Sequence, residues 1–135
     1  MDMKKRDRII LNKILDNQKI LADTLKELRI SSAQDLGRIH YVMRRGLVQI
    51  VGDIYELTVP LREDLMRQLP LRIDTVKQFR HTASHSYGQI SDDFAYACIK
   101  HCTDKQFISK IRELLEASEP NRKQTESSEQ NESKT

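Results

Sequence analysis

The spacing of the apolar residues constrains this chain more than any other feature. Between Lys4 and Arg29, Ile10, Leu11, Ile14, Leu15, Leu21, Leu25 and Leu28 form a three-and-four stripe broken at Gln18, the signature of one long amphipathic helix. Ser31-Ser32 follows with Asp35 in the place of a capping-box acid. A second stripe through Leu36, Ile39, Met43, Leu47, Ile50, Ile54 and Leu57 predicts a second long helix over Ala33 to Thr58. Gly46 and Gly52 lie inside it and are expected to permit close backbone packing or a small bend. Pro60 and Pro70 bracket a short helix carrying Leu61, Leu65 and Leu69. A fourth helix starts near Arg72, buries Ile73, Val76, Phe79 and Ala83, and stops around Ser84 to Gly88. Ser91-Asp92-Asp93 caps a fifth, whose stripe is Phe94, Cys98, Cys102, Ile108, Ile111 and Leu115. Nothing in the pattern requires a sheet. The expected fold is all-α, an up-and-down bundle of about five helices.

A chain of 135 residues holds one core of ordinary size, and 38% hydrophobic against 32% charged residues with four Gly and three Pro agrees with helix. The bundle is expected over 1–117. Residues 118–135 contain no large apolar side chain and read as a disordered polar tail. That tail holds four glutamates against three basic residues, so of the net +3 the body carries +4, a balance compatible with a nucleic-acid partner without establishing one. Cys98 and Cys102 share a helical face in register with the apolar stripe and read as reduced core residues. The N-terminus leads into an amphipathic pattern, and no stretch approaches the roughly eighteen apolar residues of a membrane span, so a soluble, cytoplasmic protein without a membrane partner is expected.

Chemistry concentrates in Phe79-Arg80-His81-Thr82-Ala83-Ser84-His85-Ser86-Tyr87-Gly88. Arg80 offers a permanent cation with a planar donor fork, and His85 a group that exchanges protons near neutral pH. Five residues apart, the two are rotated by about 140° on an unbroken helix, so they converge on one ligand only if the helix ends. Ser84, Ser86 and Gly88 supply weak helix formers for such an ending.

The set Arg80-x4-His85-x-Tyr87 resembles the Arg-x4-His-x-Tyr motif of the HEPN-domain toxin ribonucleases of prokaryotic toxin and antitoxin pairs, in the HepT branch. Gly52-Asp53 is similar to that branch's Ile-Gly-Glu stretch, Pro70 is similarly placed before the motif helix, and the likeness covers about residues 4 to 116. One position departs: the residue after the motif arginine is often Asn in this branch and is His81 here. The resemblance implies a HEPN-like helical bundle that forms a homodimer or higher homo-oligomer, so that two motifs face each other across a composite site. It implies a metal-independent endoribonuclease with no cofactor. In that scheme Arg80 polarises the scissile phosphate of an RNA substrate, and His85 acts as general acid or base. The 2′-hydroxyl attacks, leaving a 2′,3′-cyclic phosphate. It also implies a partner, a minimal nucleotidyltransferase antitoxin that silences the toxin by transferring AMP to Tyr87, placing charge and bulk beside Arg80 and His85.

Plainer readings stand beside these. An arginine, a histidine and a tyrosine near a helix end are often a solvated surface, and the chain is then a non-catalytic helical module that docks a nucleotidyltransferase or nucleic acid. His81 and His85, four apart, could hold a metal only by borrowing a third ligand from Asp53, Asp92 or His101. His40 and His101 read as helix-surface or partly buried residues, and Lys4-Lys5-Arg6 and Arg44-Arg45 as solvated faces, RNA contacts or a dimer surface. Asp53 is either a buried partner for Arg80 or an exposed acid.

Overall fold

The computed structural model of the chain describes residues 3–85 and 90–118, and of His85 the backbone. These residues form an all-α bundle with no strand among them. Its helices are α1 (Lys5–Glu27), α2 (Ala33–Arg38), α3 (Tyr41–Thr58), α4 (Glu63–Gln68), α5 (Ile73–His85), α6 (Asp92–Cys102) and α7 (Lys105–Ala117). Helix α1 packs against α3 and α7, α3 also against α5 and α6, and α2 against α6. The core between them is built from Leu11, Ile14, Leu21, Leu47, Ile54, Leu65, Phe79, Ile99, Phe107 and Ile111, all closed to solvent. No helix among the described residues is long and apolar enough to cross a membrane. The expected tail beyond Ser118 lies outside the described residues.

Among the described residues seven helical segments stand where about five were expected, because two of the five are broken. The helix expected over Ala33 to Thr58 is interrupted at Ile39 and His40, both extended at ψ 161° and 139°. The His40 imidazole accepts from the Val42 amide at 3.1 Å and starts α3 afresh. The second break follows Cys102, where the Asp104 carboxylate accepts from the Gln106 amide at 3.0 Å and caps α7. The buried face of α7 is Phe107, Ile111 and Leu114, whereas Ile108 and Leu115 are only half-buried. The spacing of five from Cys102 to Phe107 is where the chain leaves one helical phase for another.

Individual positions also differ from the pattern's expectation. Gln18, the interruption in the first stripe, is fully buried, and its Nε2 donates to the Cys102 carbonyl at 2.9 Å. It thereby satisfies one of the carbonyls that the end of α6 leaves unpaired. Asp7 is buried in the first turn of α1, and neither of its carboxyl oxygens has a hydrogen-bond partner among the described residues. Ile73 is exposed, since it opens α5 beside Val59 at the rim of a groove instead of beneath the helix. A Cβ at Gly46 would meet nothing within 4 Å, so this glycine serves no close approach. At Gly37 a Cβ would fall 2.5 Å from Asp92 Oδ2, so the close packing is there, between α2 and the start of α6. The expected capping acid is in place: the Ser32 hydroxyl accepts from the Asp35 amide at 3.1 Å, and the Asp35 carboxylate accepts from the Ser31 amide at 2.9 Å. The hydrogen bond from the Ser31 amide leads in holding the Asp35 carboxyl below its usual range.

Candidate functional site

Helix α5 carries its chemistry on the flank that its packing leaves outside. Val76 and Phe79 are buried and Ala83 half-buried, so the helical phase turns Arg80 and His81 toward solvent. Phe79 meets Tyr55 of α3 edge to face, ring centroids 5.3 Å apart, and this seats α5 on α3. Arg80 then lies alongside Glu56, and Arg80 Nε donates to Glu56 Oε1 at 2.8 Å. Only Nε is used. The two terminal amino groups of the guanidinium have no partner among the described residues and remain a fork for a planar or tetrahedral anion. A groove of about 200 Å³ lies beside the pair, lined by Gln49, Gly52, Asp53, Glu56, Arg80 and Ser84 among others.

Asp53, the acid singled out in the sequence, is exposed and accepts from Gln49 Nε2 at 3.0 Å. It lines the same groove, but the carboxylate that holds Arg80 is Glu56, one turn further along α3. Glu56 was not singled out in the sequence; three residues from Asp53, it shares a helical face with it, and the register of α5 on α3 brings Glu56 to Arg80. His81 is exposed on α5, its carbonyl accepting from the Ser84 hydroxyl at 2.8 Å. His85 is the last residue of α5; its side chain, and Tyr87 altogether, lie outside the described residues.

At Ile90, buried just ahead of α6, Arg44 takes a role the sequence did not reveal. Its Nε donates to Asp92 Oδ1 at 2.8 Å and its Nη2 to the Ile90 carbonyl at 2.5 Å, with the side chain only 17% exposed. Arg44 is therefore a clamp between α3 and the start of α6, and Arg45 beside it is exposed. The expected stripe put Met43 at this turn, but Met43 is exposed, and Arg44, three and four residues before the buried Leu47 and Val48, takes the packed position instead.

The candidate third metal ligands are engaged elsewhere. Asp92 pairs with Arg44, and Asp53 with Gln49. His101 Nδ1 lies 2.8 Å from the Tyr55 hydroxyl and its Nε2 3.2 Å from the Pro70 carbonyl, an arrangement that suits a neutral ring protonated at Nε2. The Arg72 amide is 3.4 Å from the same nitrogen, and the nearer carbonyl sets the tautomer. Burial lowers the His101 pKa below its ordinary value. Burial pushes the Cys98 thiol up to about 11, and it also raises Cys102 and the Tyr55 hydroxyl. Both cysteines are buried, free and protonated at neutral pH, as core residues. No group of three or more His, Cys, Asp or Glu side chains converges among the described residues.

Compared with family models, with curated proteins and with solved structures, the chain matches none.

Proposed function

We propose that this chain is a toxin-type endoribonuclease of the HepT kind, working as a homodimer without a metal. The observation that carries the reading is the Arg80 guanidinium, steadied through Nε by Glu56 with its terminal amino groups unengaged by any described residue, five residues before His85 at the end of the same helix. The terminal nitrogens would grip two phosphate oxygens and stabilise the charge that develops on them during attack. His85 removes the proton of the 2′-hydroxyl or donates one to the departing 5′-oxygen; the 2′-oxygen bonds to phosphorus, the bond to the 5′-oxygen breaks, and a 2′,3′-cyclic phosphate remains.

The backbone of α5 stays helical through His85, which keeps the two positions about 140° apart around its axis. A single chain thus has difficulty aiming both groups at one phosphate, and a second copy removes the difficulty by supplying the other member. Tyr41, Val42 and Met43 are exposed at the start of α3, and the space around Gly46 is open, so the outer face of α3 offers apolar surface for that copy. AMP transfer to Tyr87 by a nucleotidyltransferase antitoxin is the matching means of control, adding a negative phosphodiester next to the motif.

The test is cleavage of total RNA by purified protein in excess chelator, with Arg80→Ala and His85→Ala as paired controls. The expected outcome is cutting that both substitutions abolish and that leaves cyclic phosphate ends. RNA that stays intact, with growth unaffected by expression, sinks the reading. One observation favours the docking module instead: Asp53 and Glu56 place two carboxylates beside Arg80 and oppose an incoming phosphate. Intact mass after co-expression with the partner separates the two, since AMP adducts lost in Tyr87→Phe belong to the toxin reading and an unmodified tight complex to the module.

A further inference from the structure

Among the described residues Arg29 alone has a positive φ, 56°. It stands at the end of α1, where the Ile30 amide bonds back to the Leu25 carbonyl at 2.9 Å and the Arg29 amide to the Lys26 carbonyl at 3.2 Å. This pair of bonds is the motif in which a helix stops by placing one residue in the left-handed region, and glycine is the residue that does so without steric cost. An arginine here is a poor choice for stability. A residue held against its backbone preference points to a use for its side chain.

The surroundings say what use. Arg29 lines a depression of about 500 Å³ between the end of α1 and α6, together with Lys26, Ser31, Tyr96, Lys100 and Thr103. Lys26, Arg29 and Lys100 make no ion pair with any described residue. No acidic residue lines the depression. Three cations unpaired among the described residues, with hydroxyl groups between them, attract phosphate, and a single phosphate ion would occupy little of such a space. The groove beside Arg80, in contrast, carries two carboxylates and one guanidinium, which equips it poorly to retain a polyanion by itself.

We propose that the Lys26, Arg29 and Lys100 depression binds backbone phosphates of single-stranded RNA outside the cleavage site. The identity of the polyanion rests on the ribonuclease reading above; the need for a phosphate-bearing ligand rests on the depression alone. The site supplies retention, and Arg80 is left to act on the one phosphate that reacts.

The measurement is fluorescence anisotropy with a labelled 2′-O-methyl RNA oligonucleotide, which lacks the attacking hydroxyl and so stays intact, at several salt concentrations. Arg29→Gly is expected to raise Tm by about 3–6 °C, because it relieves the left-handed strain. The same substitution is expected to weaken RNA binding about three- to tenfold and to reduce the slope of log affinity against log salt by about 0.7, one cation's share for a single strand. Arg29→Lys should keep most of the binding and gain no stability. Lys26→Gln with Lys100→Gln should remove about twice that slope. An Arg29→Gly chain that binds with wild-type affinity and slope overturns the proposal, as does release of the oligonucleotide by equimolar inorganic phosphate or ATP, which would mark a small-anion site. If the wild-type chain cuts no RNA yet binds it through Arg29, the nuclease reading falls and this site stands. If cutting is normal and binding ignores Arg29, the reverse holds.

Discussion

Arg80 owes its usefulness to the way it is held. A carboxylate gripping both terminal nitrogens would consume the fork, whereas Glu56 meets only Nε and leaves it open. Both side chains are substantially exposed, so the pair contributes under about 1 kcal/mol to stability. Its value lies in orientation. If the proposed nuclease reading holds, Glu56→Gln is therefore expected to leave the unfolding midpoint nearly unchanged while lowering kcat for RNA cleavage by about ten- to a hundredfold, with KM unchanged or lower because a negative charge has gone. A variant that loses stability and activity in proportion would assign Glu56 to structure alone. The sequence showed Arg80, His85 and Tyr87 as a set, because a motif is carried by residue types at fixed spacing. Glu56 could not be separated from Asp53 in this way: which acid reaches Arg80 depends on how far α5 slides along α3, and Phe79 against Tyr55 fixes that register.

At the scale of elements, the apolar stripes foretold where helices run better than where they stop. The stops at Ile39 and Cys102 are made by His40 and Asp104, polar residues whose capping role appears only when the next amide turns toward them. Arg44 shows the same limit, for its partners Ile90 and Asp92 are 46 and 48 residues away. Arg44→Met leaves the Ile90 carbonyl and the Asp92 carboxylate without their donor, and a loss of about 1–3 kcal/mol is expected in urea unfolding. Arg45→Met, one residue on and exposed, should cost less than about 0.5 kcal/mol. His101 ties α6 to α3 through Tyr55 and to the lead-in of α5 through Pro70. Its folded pKa is lowered, so the unfolded chain binds the proton more readily. The stabilising contribution is complete above the unfolded value near pH 6.5 and is lost as pH falls toward the folded value. Urea midpoints at pH 7.5 and 5 should diverge more for the parent than for His101→Gln.

For the whole molecule, the proposed composite site makes a demand that no single chain can meet. Arg80→Ala and His85→Ala chains, each inactive alone, should regain cleavage when co-expressed, because a mixed dimer brings an intact Arg80 and an intact His85 to one interface. Mixed dimers that form and stay inert would show that each chain uses its own pair. The helical bundle itself was legible from the first stripe onward, since periodicity survives without knowledge of partners. The order of those partners has a further consequence. Helix α1 packs on α7, and Gln18 completes the end of α6 across 84 residues of chain. Helix α1 is thus complete as a packing partner only when α6 and α7, far along the chain, have joined it. A chain lacking α7 loses the closing face of this bundle and presents the apolar residues of α1 and α7's other neighbours to chaperones and proteases.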